Sequence, residues 1–246
     1  MDRMLYVAMA GAKETLRAQT VNNHNLANVS TNGFKADLEA FQSRSVDGSG
    51  FASRVYAQST PNGWDSTSGA LLTTGRDLDI AVNGQGWITV QGADGKEAYT
   101  RAGDLQLDPT GALTTATGHP VLGDGGPVVV PPYSSILFGR DGSISIVAQG
   151  QTPETTSTIG RLKLVNPLKD QIVRGDDGLF RMKDGSEAPS DAAVQVSSGV
   201  LETSNVNAAE AMVNMIELAR HFEMQVKAIR SAEENGAAAA QLMRLG

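Results

Sequence analysis

NAAEAMVNMIELARHFEMQVKAI, residues 207–229, places Ala208, Met212, Met215, Ala219, Phe222, Val226 and Ile229 at alternating steps of four and three. The alternation continues through Glu233, Gly236, Ala240 and Met243. That spacing is the seam of a heptad, and a regular seam calls for partner helices. Asn207 is placed to cap the first free amides, with Glu210 three residues on in the manner of a capping box. Glu234, Asn235 and Gly236 interrupt the good helix formers, and glycine costs about 1 kcal/mol against alanine inside a helix. The last ten residues are therefore expected to fray unless an assembly holds them.

The other end of the chain repeats the pattern. Leu5, Met9, Ala12, Leu16, Gln19, Asn23 and Leu26 recur at the same steps, a narrow stripe with two polar members. Such a helix is weakly stable alone. Between the two ends the period changes to two. Leu78, Ile80 and Val82 alternate with polar partners before Asn83-Gly84, and Trp87 to Val90 resume a strand, which predicts a hairpin there. Asp94-Gly95 turns the chain toward Ala98 to Thr100, and short apolar runs follow at 105–107, 128–130, 144–147, 159–165 and 194–197. Short strands separated by Gly, Pro, Asp and Asn favour an irregular antiparallel β domain over an α/β sheet.

The expected class is thus α+β, with coiled-coil-like terminal helices paired into an axial helical domain and flanking that β domain. The divisions are an N-terminal helix and exit motif over 1–35, an extended linker or arm over 36–72, the β domain over 73–198 and a C-terminal helix over 199–246 that packs with 1–35. The stretch 43–70 is rich in Ser, Gly, Thr and Asn, with Phe51, Val55, Tyr56 and Trp64 placed singly. It reads either as a surface loop or as an arm that orders against neighbours.

Composition removes several classes of function. The net charge is -7 and the 20 basic residues form no stripe, so nucleic acid is an unsuitable partner. There are no cysteines, hence neither disulfides nor thiolate metal sites nor thiol catalysis. Lys13, Glu14 and Arg17 interrupt the first apolar residues before a cleavable leader is complete, and no run approaches the ~20 apolar residues that span a bilayer. Any passage out of the cytoplasm would use no cleaved signal. His24, His119 and His221 share no ligand or catalytic spacing. Asp77 and Asp79, two apart on an expected strand, could share a face, but a turn and Arg76 explain them better than acid/base chemistry. Gly84 and Gly86 read as hairpin glycines, and Asp176-Asp177-Gly178 and Asp184-Gly185 as turns. No enzyme and no cofactor is expected.

The segment NNHNLANVSTNGFK, residues 22–35, carries too many asparagines for an ordinary helix surface. Asn and Gly release a helix through turns and left-handed conformations. The segment resembles the N-terminal signature of the bacterial flagellar rod and hook protein family. TGRDLDIAVNGQGW (74–87) resembles the opening of that family's β domain, and SGVLETSNVN (198–207) the approach to its last helix. The modest length, the tail 202–234 and the lack of a large inserted outer domain favour a proximal rod subunit, with a distal rod subunit as the competitor.

The resemblance implies a structural subunit that assembles helically by its end helices and transmits torque from motor to hook. It implies copies of itself, other rod proteins and the flagellar export apparatus as partners, and a place in the periplasm-spanning rod. It assigns Asn25, Leu26, Ala27, Asn28, Thr31, Gly33 and Phe34 to the axial assembly, with Phe34 anchored on a helical wall. Leu5, Met9, Ala12, Leu16 and Leu26 in the first helix and Met212, Met215, Ala219, Phe222, Val226 and Ile229 in the last are the expected interface. The reading from another class is a soluble carbohydrate- or peptide-binding β module, with Trp64, Trp87 and Tyr99 as its platform.

Overall fold

A computed structural model describes residues 2–45, 55–151 and 155–244. In chain order the elements are α1 (Asp2–Ala27), β1 (Asp37–Ser45), β2 (Val55–Trp64), β3 (Leu71–Thr73), β4 (Ile80–Asn83), β5 (Trp87–Gln91) and β6 (Glu97–Thr100). There follow β7 (Leu105–Leu107), β8 (Leu113–Thr115), β9 (Leu122–Gly123), β10 (Gly126–Pro127), β11 (Tyr133–Phe138) and β12 (Ser143–Ala148). The chain ends with β13 (Thr156–Arg161), β14 (Leu164–Val165), β15 (Ile172–Arg174), β16 (Phe180–Met182), β17 (Gln195–Ser198), β18 (Val200–Glu202) and α2 (Ala208–Arg244). The α+β reading, with terminal helices flanking antiparallel strands in the chain, is the observed class. α2 continues through Gly236 to Arg244.

Two compact units emerge. The helical unit comprises Met1–Val29, Ala36–Asp65 and Val206–Gly246, and the β unit comprises Ser30–Lys35 and Ser66–Asn205. Within the helical unit α1 and α2 run antiparallel. Asn22 Nδ2 near the end of α1 donates to Ala211 O at the start of α2 at 2.8 Å, while Gly11 lies against the Gln225 side chain. The Asn207 side chain caps α2, its Oδ1 accepting from Ala209 N at 3.0 Å and Glu210 N at 3.4 Å. Thr15 and Thr20 return their hydroxyls to the carbonyls of Gly11 and Leu16, which lets them sit inside a helix.

β1 and β2 form an antiparallel pair where the composition suggested an extended arm, in register from Asp37↔Trp64 to Ser45↔Val55 with an irregularity between Asp37 and Glu39. Main-chain pairing is open to every residue type except that proline cannot donate, so a polar ladder leaves little trace in hydropathy. Its start is fixed by Asn25, whose side chain donates to Asp37 O at 2.9 Å and accepts from Asp37 N at 2.8 Å. Trp64 is buried, and Phe51 lies outside the described residues.

In the β unit the largest sheet has the order β14-β5-β6-β16-β15, and a second runs β11-β12-β13. Ile80, Val90, Leu105, Leu113, Ile144 and Leu162 are among the fully buried side chains of one core. The Asp94-Gly95 turn closes the β5–β6 hairpin as read, with Gly92 N to Lys96 O at 2.8 Å. The Asn83-Gly84 hairpin does not form: β4 pairs with β17, Val82 facing Val196. Arg101 takes the Val82 and Gly84 carbonyls that a hairpin turn would have engaged. The run 128–130 makes a single bridge, Ala112↔Val129, in place of a strand. Asp77 is exposed in a turn, whereas Asp79 is buried, accepts from Thr74 Oγ1 at 2.7 Å and meets Arg76 at 3.3 Å, so the two carboxylates share no strand face.

Candidate assembly surface

The covered line of α1 runs through Leu5, Ala8, Ala12, Thr15, Gln19, Asn22 and Leu26. That of α2 runs through Ala208, Ala211, Met215, Leu218, Phe222, Gln225, Ile229 and Ala232. Both keep every second position of the heptads read from the sequence and move the others back by one residue. The inserted positions are mostly small or polar: Ala8, Thr15, Asn22, Ala211, Gln225 and Ala232. Small side chains let the two backbones approach, and Gly11 beside Gln225 marks that closeness.

Larger apolar side chains consequently stay outside. Met9, Leu16, Met212, Val213, Ile216 and Met224 are 47–54% and, for Ile216, 55% exposed, with Met4 and Tyr6 equally open at 54%. Of the residues singled out by spacing, Ala12 is buried. Leu5, Leu26, Met215, Phe222, Val226 and Ile229 are half-buried, and Met9, Leu16, Met212 and Ala219 are exposed. These open apolar side chains on both helices make up the candidate assembly surface.

The asparagine-rich motif works differently from a string of left-handed turns. Among the described residues no non-glycine has positive φ. Asn28 instead caps its own helix, N and Nδ2 both bonding His24 O at 3.2 and 2.9 Å, and Asn25 clamps β1. His24 Nδ1 lies 2.8 Å from Asp37 Oδ2, a local side-chain pairing between the helix end and β1.

Gly33 alone in the motif is left-handed, at φ 67°, with its N donating to Glu202 O at 2.8 Å. Phe34 belongs to the β unit. The Arg174 guanidinium covers it at 4.7 Å and covers Phe180 at 4.9 Å, while Phe180 packs on Trp87 at 4.5 Å. The neighbouring Lys35 is buried at 1% exposure, and Nζ donates to Glu202 Oε1 at 2.6 Å and to Thr67 O at 2.8 Å. Glu202 Oε1 also accepts from Gly69 N at 3.0 Å, and Arg101 stands 3.4 Å from Oε2. Burial pulls the Arg101 guanidinium below its ordinary range, and the Glu202 carboxylate opposes that fall. Sequence reasoning passed over this cluster because Lys35 and Glu202 lie 167 residues apart.

The residues considered for other chemistry are placed otherwise. Trp87, Tyr99 and Trp64 are each buried, so none offers an open face for a sugar or peptide. Burial pushes the Tyr99 phenol up to about 12 even though Ala188 N donates to its oxygen at 2.8 Å. Asp177 and Asp184 are turn residues: Arg181 holds the first carboxyl below its usual range and Ser186 the second. Among the described residues no group of three or more His, Asp or Glu is arranged to hold a metal, and no helix is long and apolar enough to cross a membrane.

Known proteins share this architecture in sequence. The family described as Flagellar basal body rod FlgEFG protein C-terminal matches residues 197–242, and the Flagellar hook protein FlgE/F/G D1 domain matches residues 81–152. The chain is 46% identical to the flagellar basal-body rod protein FlgF of Salmonella typhimurium and 44% identical to that of Escherichia coli, over all of both chains in each case. It is 33% identical to the flagellar basal-body rod protein FlgG of Bacillus subtilis, over 95% of this chain and 96% of that one. Rod proteins are structural and not catalytic. On these likenesses over its whole length, the chain belongs to the flagellar basal-body rod protein family.

Proposed function

We propose that this chain is a structural subunit of the proximal rod, built into a helical array by its terminal helices and transmitting torque from motor to hook. The single observation that carries the reading is the row of half-open Met, Val and Ile side chains on α1 and α2, left outside by a seam of small residues. Each such side chain is already about half covered and gains roughly 1 kcal/mol when the rest is buried, so every added neighbour strengthens a shaft that must resist twisting. The partners are copies of itself and other rod proteins. The flagellar export apparatus delivers the chain across the inner membrane, and the rod crosses the periplasm. The proximal position, against the distal one, is supported by the full-length identities of 46% and 44% to two FlgF proteins.

The test is complementation of a strain lacking the gene with Met212→Asp/Ile216→Asp. Both residues are exposed, so the purified variant is expected to keep its helicity while cells lose motility and the protein is missing from basal bodies. Normal swimming would reject the reading. Recovery of the wild-type chain in basal bodies arrested before the distal rod is added separates proximal from distal; its absence there would favour the distal subunit.

A further inference from the structure

The segments by which the chain leaves the β unit converge on one buried charge cluster. They are residues 30–35, the start of 66–70, and 202–205. Lys35 bonds Thr67 O and Glu202, Glu202 holds Gly69 N, and Gly33 N bonds Glu202 O. Asn205 closes the set, its N donating to Phe34 O at 3.3 Å and its Nδ2 to Thr67 O at 3.1 Å. Lys35 and Glu202 are each 1% exposed and Arg101 4%. The attraction among buried charges is largely offset by the cost of desolvating them, so net stability is not what distinguishes such a cluster from apolar packing. What buried ions supply better is a single geometry, because any rearrangement strands a charge.

We propose that Lys35, Glu202 and Arg101 form a latch that holds the three exit segments of the β unit in one fixed arrangement, making Lys35 and Glu202 positioning residues for rod assembly. The inference rests on the rod reading above for its functional arm only. It gives the end of the asparagine-rich motif an internal role, in which Gly33, Phe34 and Lys35 bind groups of their own β unit.

The experiment compares the full-length wild-type chain with Lys35→Met and with Lys35→Met/Glu202→Gln. The single variant removes the cation closest to Glu202 and leaves Arg101 to balance it; the double variant also neutralises Glu202, keeping an acceptor for Gly69 N but leaving Arg101 without its counter-charge. Amide hydrogen exchange is followed at Gly33, Gly69 and Asn205, with Leu113 and Val121 as core references, and incorporation into basal bodies is scored in cells. In Lys35→Met the three latch amides are expected to exchange about tenfold or more faster with the core amides unchanged, and incorporation to fall. In the double variant, where Arg101 is left buried without its carboxylate, neither is expected to recover. Unchanged latch amides in the single variant, a uniform rise that includes Leu113 and Val121, or normal incorporation with a loosened latch would each overturn the proposal. Absence of the wild-type chain from basal bodies would instead sink the rod reading, and the exchange rates would still decide the latch.

Discussion

Gly33→Ala tests how closely the exit motif is pressed onto the β unit. At φ 67° an added Cβ costs about 1–2 kcal/mol from backbone strain alone. The same Cβ would also lie inside the contact distance of the Arg101 carbonyl and the Ala102 amide, both main-chain groups of a chain segment whose side chain is locked by Glu202. Backbone cannot swing aside as a side-chain tip can, so the overlap adds to the strain, and the total is expected to reach about 3 kcal/mol or more. The matched control is Gly118→Ala, at φ 87° with nothing within 4 Å of the new Cβ, which should show the strain alone. For a protein of this size each kcal/mol shifts the midpoint by roughly 2–4 °C. Thermal unfolding of the purified chain should therefore place Gly33→Ala roughly 6–12 °C or more below wild type and Gly118→Ala roughly 2–8 °C below, with Gly33→Ala the lower of the two. Equal shifts for the two would refute the claim that Gly33 is fixed by contact and not by conformation alone.

Two further outcomes follow from local geometry. Asn207→Ala removes the side chain that bonds Ala209 N and Glu210 N, and should destabilise α2 by about 1 kcal/mol, read as lower helical ellipticity; unchanged ellipticity and midpoint would contradict the cap. Tyr99 has a folded pKa of about 12 against 10.0 unfolded, so its contribution is complete below pH 10 and is lost as pH rises toward 12. Denaturant midpoints of the wild type should fall across that window more steeply than those of Tyr99→Phe, and parallel curves would contradict the assignment.

The terminal helices, the class and the β5–β6 hairpin could be read from periodicity and turn residues. The side of each helix that closes the intrachain pair could be read only by halves. A repeat of 3.5 lets two registers share alternate positions, so Ala12, Leu26, Met215, Phe222 and Ile229 are common to both. The choice between Ala8 and Met9, or Ala211 and Met212, for the intrachain contact turned on close approach, which spacing alone does not show. Spacing also predicted a β4–β5 hairpin, because Asn83-Gly84 is a strong local signal; the competing pairing of β4 with β17 is set by residues more than 100 positions away. Lys35 is a third case. One lysine at the end of a motif says nothing of burial until Glu202, Gly69 and Thr67 are brought to it.

The native chain contains no cysteine, so single thiols can report on the outward apolar rows without interference. Met9→Cys, Met212→Cys and Ile216→Cys should react rapidly with a maleimide in the purified chain, since each position is about half exposed. In isolated basal bodies the same thiols should be protected by at least about tenfold. Equal labelling of all three in the free and the assembled protein would mean that neighbours never cover these rows.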